Sequence, residues 1–109
     1  LRFVNFENWE FDGSSHLAGL AVDSDGNEDP NNNIFGTLIE AQNACIQLGM
    51  GCGGITSITH SSVNNGNPFY ELRNGRTFIP NTNIVYSFSS YMKPANPCNY
   101  DDIIISTKK

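Results

Sequence analysis

Charge is scarce in this sequence. Only 16% of its 109 residues are Asp, Glu, Lys or Arg, with six basic against eleven acidic. The net charge of −5 and a pI near 4.7 disfavour nucleic acid or an anionic membrane as the main partner. No apolar run approaches the ~18 residues of a membrane span, so no membrane insertion is expected. No secretory h-region is present, and the first residue is Leu1 rather than Met, as expected of a processed form or an excerpt. No CxxC pair occurs, and His16 and His60 lie far in sequence from any cysteine pair, so no zinc site is expected. Catalytic patterns are missing too. No serine sits in a nucleophile elbow, and neither histidine has a fixed relation to a Ser, Cys or carboxylate. Glu7 and Glu10 read as solvated charges rather than an acid/base couple. The glycines at 49, 51, 53 and 54 do not open a helix after a strand, which excludes a phosphate loop. A non-enzyme without a cofactor is expected.

What is present suits one folded unit. Hydrophobic residues make up 39% of the chain, too many for a disordered segment, and the length predicts a single domain over 1–109 with one core. Fifteen asparagines, most beside Gly, Pro or another Asn, are turn chemistry. None stands in an Asn-X-Ser/Thr sequon, so N-glycosylation is not expected. The three cysteines, Cys45, Cys52 and Cys98, allow at most one internal bridge; three reduced thiols in a cytosolic protein are the alternative.

Thr37-Leu38-Ile39-Glu40 forms a capping box, Leu38, Ala41, Cys45 and Leu48 make an apolar stripe, and Gly49 supplies a stop. The pattern predicts a helix over 38–48. Strands follow. Gly53 to His60 is rich in β-branched residues. Phe69 to Arg73 precedes Asn74-Gly75, a hairpin signal that predicts Arg76 to Ile79 as the returning strand, with Arg73 opposite Arg76 and an acidic partner beside them. Ile84 to Met92 reads as a further strand, with Tyr86, Phe88, Ser90 and Met92 on one face and Val85, Ser87, Ser89 and Tyr91 on the other. Leu1 to Phe11 suggests a strand with an aromatic plug, and His16 to Val22 another strand. The run Ile103-Ile104-Ile105 is expected to pair with a sheet edge or a partner chain.

The stretch from Glu40-Ala41-Gln42-Asn43-Ala44-Cys45 through Cys52-Gly53-Gly54-Ile55-Thr56 resembles the helix of PAN/apple-like domains, whose cysteine is bridged to the following strand. Phe69 to Arg73 and Ser90-Tyr91-Met92-Lys93 are similar to later strands of a divergent extracellular branch. The resemblance spans about residues 35 to 93, without the family's second helix cysteine or the cysteine of the next strand. It implies an α+β fold, a twisted antiparallel sheet of about five strands with one α-helix packed on it, and an adhesive, non-catalytic role in an extracellular, secreted setting. Glu40-Ala41-x-x-x-Cys45-x-x-Leu48-Gly49 also resembles the second helix of a C-type lectin domain, though that family's Glu-Pro-Asn and Trp-Asn-Asp motifs are absent.

Cys45 and Cys52 bracket a glycine-rich reversal that brings them within disulfide reach; a Cys52–Cys98 bridge or no bridge are the alternatives. Cys98 is the expected odd thiol, free or interchain. Asp23-Ser24-Asp25-Gly26-Asn27 opens like a calcium loop, but Glu28 replaces the turn glycine and Ile34 the bidentate Glu. An acidic surface loop is expected, with a weak cation site at Asp23, Asp25, Asn27 and Asp29 as the alternative. Twelve aromatic residues exceed what one sheet and one helix bury, so some rings are expected on an open sheet face. The expected function is binding of a glycan or an extracellular protein. Glu71, Arg73, Arg76 and Lys93 are the candidate polar contacts, with Tyr86 or Tyr91 as a platform. The alternatives are a carrier of an apolar pigment or lipid, as a homo-oligomer, and a structural matrix or storage protein.

Overall fold

The computed structural model describes residues 9–23, 25–28 and 33–94. Among the described residues, seven strands and one α-helix follow in order: β1 (Glu10–Asp12), β2 (Ser15–His16), β3 (Ile34–Phe35), α1 (Leu38–Leu48), β4 (Gly54–Thr59), β5 (Phe69–Arg73), β6 (Ile79–Pro80) and β7 (Ser87–Met92). The fold is α+β. Five strands form an antiparallel sheet in the order β1-β7-β4-β5-β3, and β2 pairs with β6 in a small second sheet.

The helix begins and ends as its sequence dictates. The Thr37 hydroxyl accepts the Glu40 N–H at 3.3 Å and donates to the Glu40 carboxylate at 2.9 Å. Gly49 takes φ +64° and its N–H donates to the Ile46 carbonyl, which ends the helix. The predicted stripe faces inward: Ala41 and Cys45 are fully buried, with Leu38 and Leu48 packed at their flanks. The helix packs chiefly on β3, β4 and β5, around a core of Trp9, Ala21, Ala41, Cys45, Cys52, Ile55 and Leu72.

The central strand β4 is buried along five of its six residues because both of its faces are covered. Ile55 lies toward the helix in one row with Leu72 and Tyr91. Thr56 faces the other way and carries a polar chain to β2. The Leu17 N–H donates to the Thr56 hydroxyl at 3.0 Å, Thr56 and Ser90 bond at 3.0 Å, and Ser90 donates to the Ser15 carbonyl at 2.9 Å. Each hydroxyl holds one hydrogen, so the chain runs in a single direction from Leu17 to Ser15.

The Asn74-Gly75 hairpin does not form. Arg73 lies opposite Gly54 rather than Arg76, and residues 74–78 are not strand. Both edges of β5 are already occupied, by β4 and β3, which leaves no ladder for a returning strand. The amides of Asn74 and Gly75 donate instead to the carbonyls of Gly19 and Ala18. Neither residue takes the positive φ that a type I′ turn demands. Ile79 crosses over to pair with His16. The strand predicted from Ile84 begins at Ser87, and Ile84 is 99% exposed in the preceding turn. Of the strand predicted over 16–22, only His16 belongs to a strand; Leu20 and Val22 make single bridges to Arg73 and Glu28. Residues 1–8, and with them most of the strand predicted over 1–11, lie outside the described residues, as do Cys98 and the Ile103–Ile105 run.

The Cys45–Cys52 disulfide is present, with Cα atoms 5.3 Å apart, and Cys52 is therefore not available to Cys98. Gly53, next to it, is hemmed in by the chain: a Cβ there would press onto the carbonyl oxygens of Gly75 and Asn74. Gly53→Ala is expected to lower stability by at least about 2 kcal/mol, since backbone rather than a side-chain tip must move. The double variant Cys45→Ala/Cys52→Ala is expected to lose roughly 2–3 kcal/mol, the loop-closure contribution of so short a loop. Urea denaturation of each variant checks both; unchanged midpoints would refute them.

Candidate functional site

The residues expected to offer polar contacts are turned inward. Arg73 pairs with Glu71, two residues earlier on the same face, at 2.7 Å, and the two side chains are 15% and 16% exposed. Glu71 is thus an acidic partner of Arg73 alone; the Arg73–Arg76 pair for which one was expected does not form. Arg73 also donates to the Leu17 carbonyl at 2.7 Å, which ties the segment after β2 to the sheet. Arg76 donates to the Lys93 carbonyl at 2.8 Å. Lys93 is only 2% exposed. Its ammonium donates to the carbonyls of Cys45 and Gly49 at the C-terminal end of α1, where the helix dipole favours a cation. The structure gathers Glu71 with Arg73 and Arg76 with Lys93, and it spends all three cations on backbone carbonyls. No row of exposed charge results.

The two tyrosines separate onto opposite faces of the sheet. Tyr86 stands with Phe88, their rings parallel within 3° and 6.2 Å apart, on the side away from the helix. His60 lies 4.9 Å from Tyr86 and His16 lies 5.8 Å from Phe88, so four rings make one half-buried row. The turn before it is held by its own carboxamides. Asn83 Oδ1 accepts the N–H of Val85 and Tyr86, and Asn81 Nδ2 donates to the Tyr86 carbonyl. Tyr91 instead faces the helix side, 4.8 Å from Phe11, whose ring is 58% exposed.

Among the described residues, the sheet is partly open around Tyr91. Because α1 packs chiefly on β3, β4 and β5, it leaves the helix-side surface of β7 and β1 at its flank. Phe11 lies opposite Tyr91 there, and in the next row Ser89 and Tyr70 both lie opposite Ser57. One row further, Ser87 lies opposite Thr59. Burial and the neighbouring Tyr70 push the Tyr91 phenol above its ordinary pKa, so it stays protonated at neutral pH and both donates and accepts. An aromatic pair beside the hydroxyls of Ser89 and Ser87 offers C–H/ring stacking and hydrogen bonding together. Tyr91 is among the candidates that the sequence suggests, and the alternation Ser87-x-Ser89-x-Tyr91 carries the signal for its neighbours. Phe11 is not, because nothing in the sequence shows which rings the helix leaves uncovered.

A second concavity, of about 390 Å³, lies between the C-terminal half of α1 and residues 21–23 and 27. The Asp23 loop beside it closes on itself: Asp23 Oδ1 accepts the N–H of Asp25 at 2.8 Å and of Asn27 at 3.0 Å. Among the described residues, no group of three or more His, Cys, Asp or Glu gathers as a metal site would require. Asp29 lies outside the described residues. No described helix is long and apolar enough to cross a membrane. No family model matches the chain, and neither a curated protein nor a solved structure matches it.

Burial, and then the nearby Arg76, lower the Lys93 pKa from 10.5 to about 8. Between about pH 8 and the unfolded value the unfolded chain binds the extra proton, so stability rises with pH across that window. Below about pH 8 both states hold the charge and its full burial cost persists. From pH 7.5 to 9.5 the protein is expected to gain about 2 kcal/mol relative to Lys93→Met. Denaturant midpoints of the pair across that range measure the difference; a flat or falling difference would contradict the assignment.

Proposed function

We propose that the protein is an extracellular, non-catalytic recognition module that binds a glycan on the helix-side strip of β1 and β7. The observation that carries this reading is the Phe11–Tyr91 pair beside the hydroxyls of Ser89 and Ser87, on the part of the sheet that α1 does not chiefly cover. A pyranose presents one C–H-rich face and a rim of hydroxyls, which suits a ring pair with neutral donors and acceptors around it. Two further features support the reading. The buried disulfide suits an oxidising compartment. The helix tied by its cysteine to the next strand, over an antiparallel sheet, agrees with the proposed PAN/apple-like kinship. In this proposal Tyr91 is the platform, while Glu71, Arg73, Arg76 and Lys93 hold the scaffold behind it.

Screening the intact chain on a glycan array, with calorimetry on the best hit, tests the proposal. Phe11→Ala and Tyr91→Ala are each expected to weaken binding on the order of ten-fold, about 1.4 kcal/mol. Tyr86→Ala, on the opposite face, is expected to leave it unchanged. No saturable glycan binding, or equal binding by the wild type and the Phe11 and Tyr91 variants, would overturn the reading. Retention of a protein partner through the same two rings would favour protein recognition in its place.

A further inference from the structure

We propose that the cleft between α1 and residues 21–23 and 27 is a second, separate site, for a small polyhydroxylated molecule bearing an ammonium group, of amino-sugar size. Its volume of about 390 Å³ lies at the small end of ligand pockets. Leu72 and Ala44 give it an apolar floor and flank, and the carboxamides of Asn27, Asn33 and Gln47 surround them. Carboxamides both donate and accept, the pairing that a ring of hydroxyls requires. Among the described residues, the one charged side chain in the lining is the Asp23 carboxylate. With no described basic group in the lining, the cleft discriminates against anions and attracts a cationic substituent.

The site is also held in shape. The Ala21 N–H donates to the Leu72 carbonyl at 3.1 Å, the Val22 N–H to the Gly51 carbonyl at 3.0 Å, and buried Asn33 donates to the Ala21 carbonyl at 3.1 Å. These bonds fasten the outer wall to β5 and to the end of the helix. The two amides on Asp23 Oδ1 fix the carboxylate while leaving further acceptor positions on it. A preorganised wall and a fixed charge avoid ordering costs on binding. No described aromatic ring lines this cleft, so it differs in chemistry from the Phe11–Tyr91 strip. It also lies at the β5 side of the sheet, away from β1 and β7.

Amide chemical shifts of the full chain at neutral pH, titrated with D-glucosamine, D-glucose and D-glucuronate, test the inference. Glucosamine is expected to give saturable shifts at Asp23, Asn27, Ala44 and Gln47, glucose weaker ones, and glucuronate the weakest. Asp23→Asn keeps an oxygen for the loop amides and is expected to weaken glucosamine roughly three- to five-fold, down to the level of glucose. Ala44→Trp fills the cleft from the helix side without altering the loop's own residues and is expected to abolish the shifts, which guards against a loop that simply unravels in the first variant. Tyr91→Ala is expected to leave them unchanged, so failure here and failure of the glycan strip are read separately. No saturable shifts at the cleft, glucuronate binding as tightly as glucosamine, or wild-type titration of Ala44→Trp would each overturn the proposal.

Discussion

Cys45 and Cys52 are both fully buried, and the bond between them fixes where the C-terminal end of α1 meets the start of β4. The neighbouring contacts converge on the same junction. The Lys93 ammonium reaches the carbonyls of Cys45 and Gly49, and the Lys93 N–H donates to the Gly53 carbonyl. Arg76 donates to the Lys93 carbonyl, and the Gly53 N–H donates to the Arg73 carbonyl. One helix end, the end of β5 and the segments following β5 and β7 are thus tied within a few residues of a single covalent link. The helix has no basic residue in its own last turn, so Lys93, distant in sequence, supplies the cation that its carbonyls favour.

From that anchored junction, the unequal cover of the sheet follows. The eleven-residue helix spans only about 16 Å at the usual rise per residue, too short to cover five strands. It lies across the β3–β5–β4 half, and the opposite face is closed over its middle by β2 and the Leu17 segment, fastened through Thr56, Ser90 and Arg73. The leftover aromatic residues therefore fall into two groups on opposite faces. Phe11 and Tyr91 flank the helix, and His60, Tyr86, Phe88 and His16 line the far end of the other face. The Asp23 loop and α1 leave the small cleft between them at the third margin of the helix.

Features fixed by neighbours along the chain are legible in the sequence alone. The capping box, the inward stripe and the Gly49 stop each depend on residues within one or two turns, and the helix forms where they place it. The face alternation along Ser87 to Met92 also holds, because pleating leaves each side chain only two directions. The Asn74-Gly75 hairpin fails for a non-local reason: β3 and β4 occupy both edges of β5, and two amides in the turn go to Ala18 and Gly19 instead. The expected surface cations fail as exposed contacts in the same way. Nothing near Arg73, Arg76 or Lys93 in sequence shows that the carbonyls of Leu17, Lys93 and the end of α1 will lie within reach of them.

Local propensity, periodicity and composition were enough to specify the helix with its two ends, the strand character of β4, β5 and β7, and the weak, acidic charge, while the α+β class was implied by the PAN/apple-like resemblance. Each of these acts over a few residues or over the chain as a whole. Long-range packing settled the rest: which charges turn inward and which rings remain at the surface. Those outcomes depend on strand order and on where one short helix comes to rest, and both are set by contacts between segments far apart in the chain.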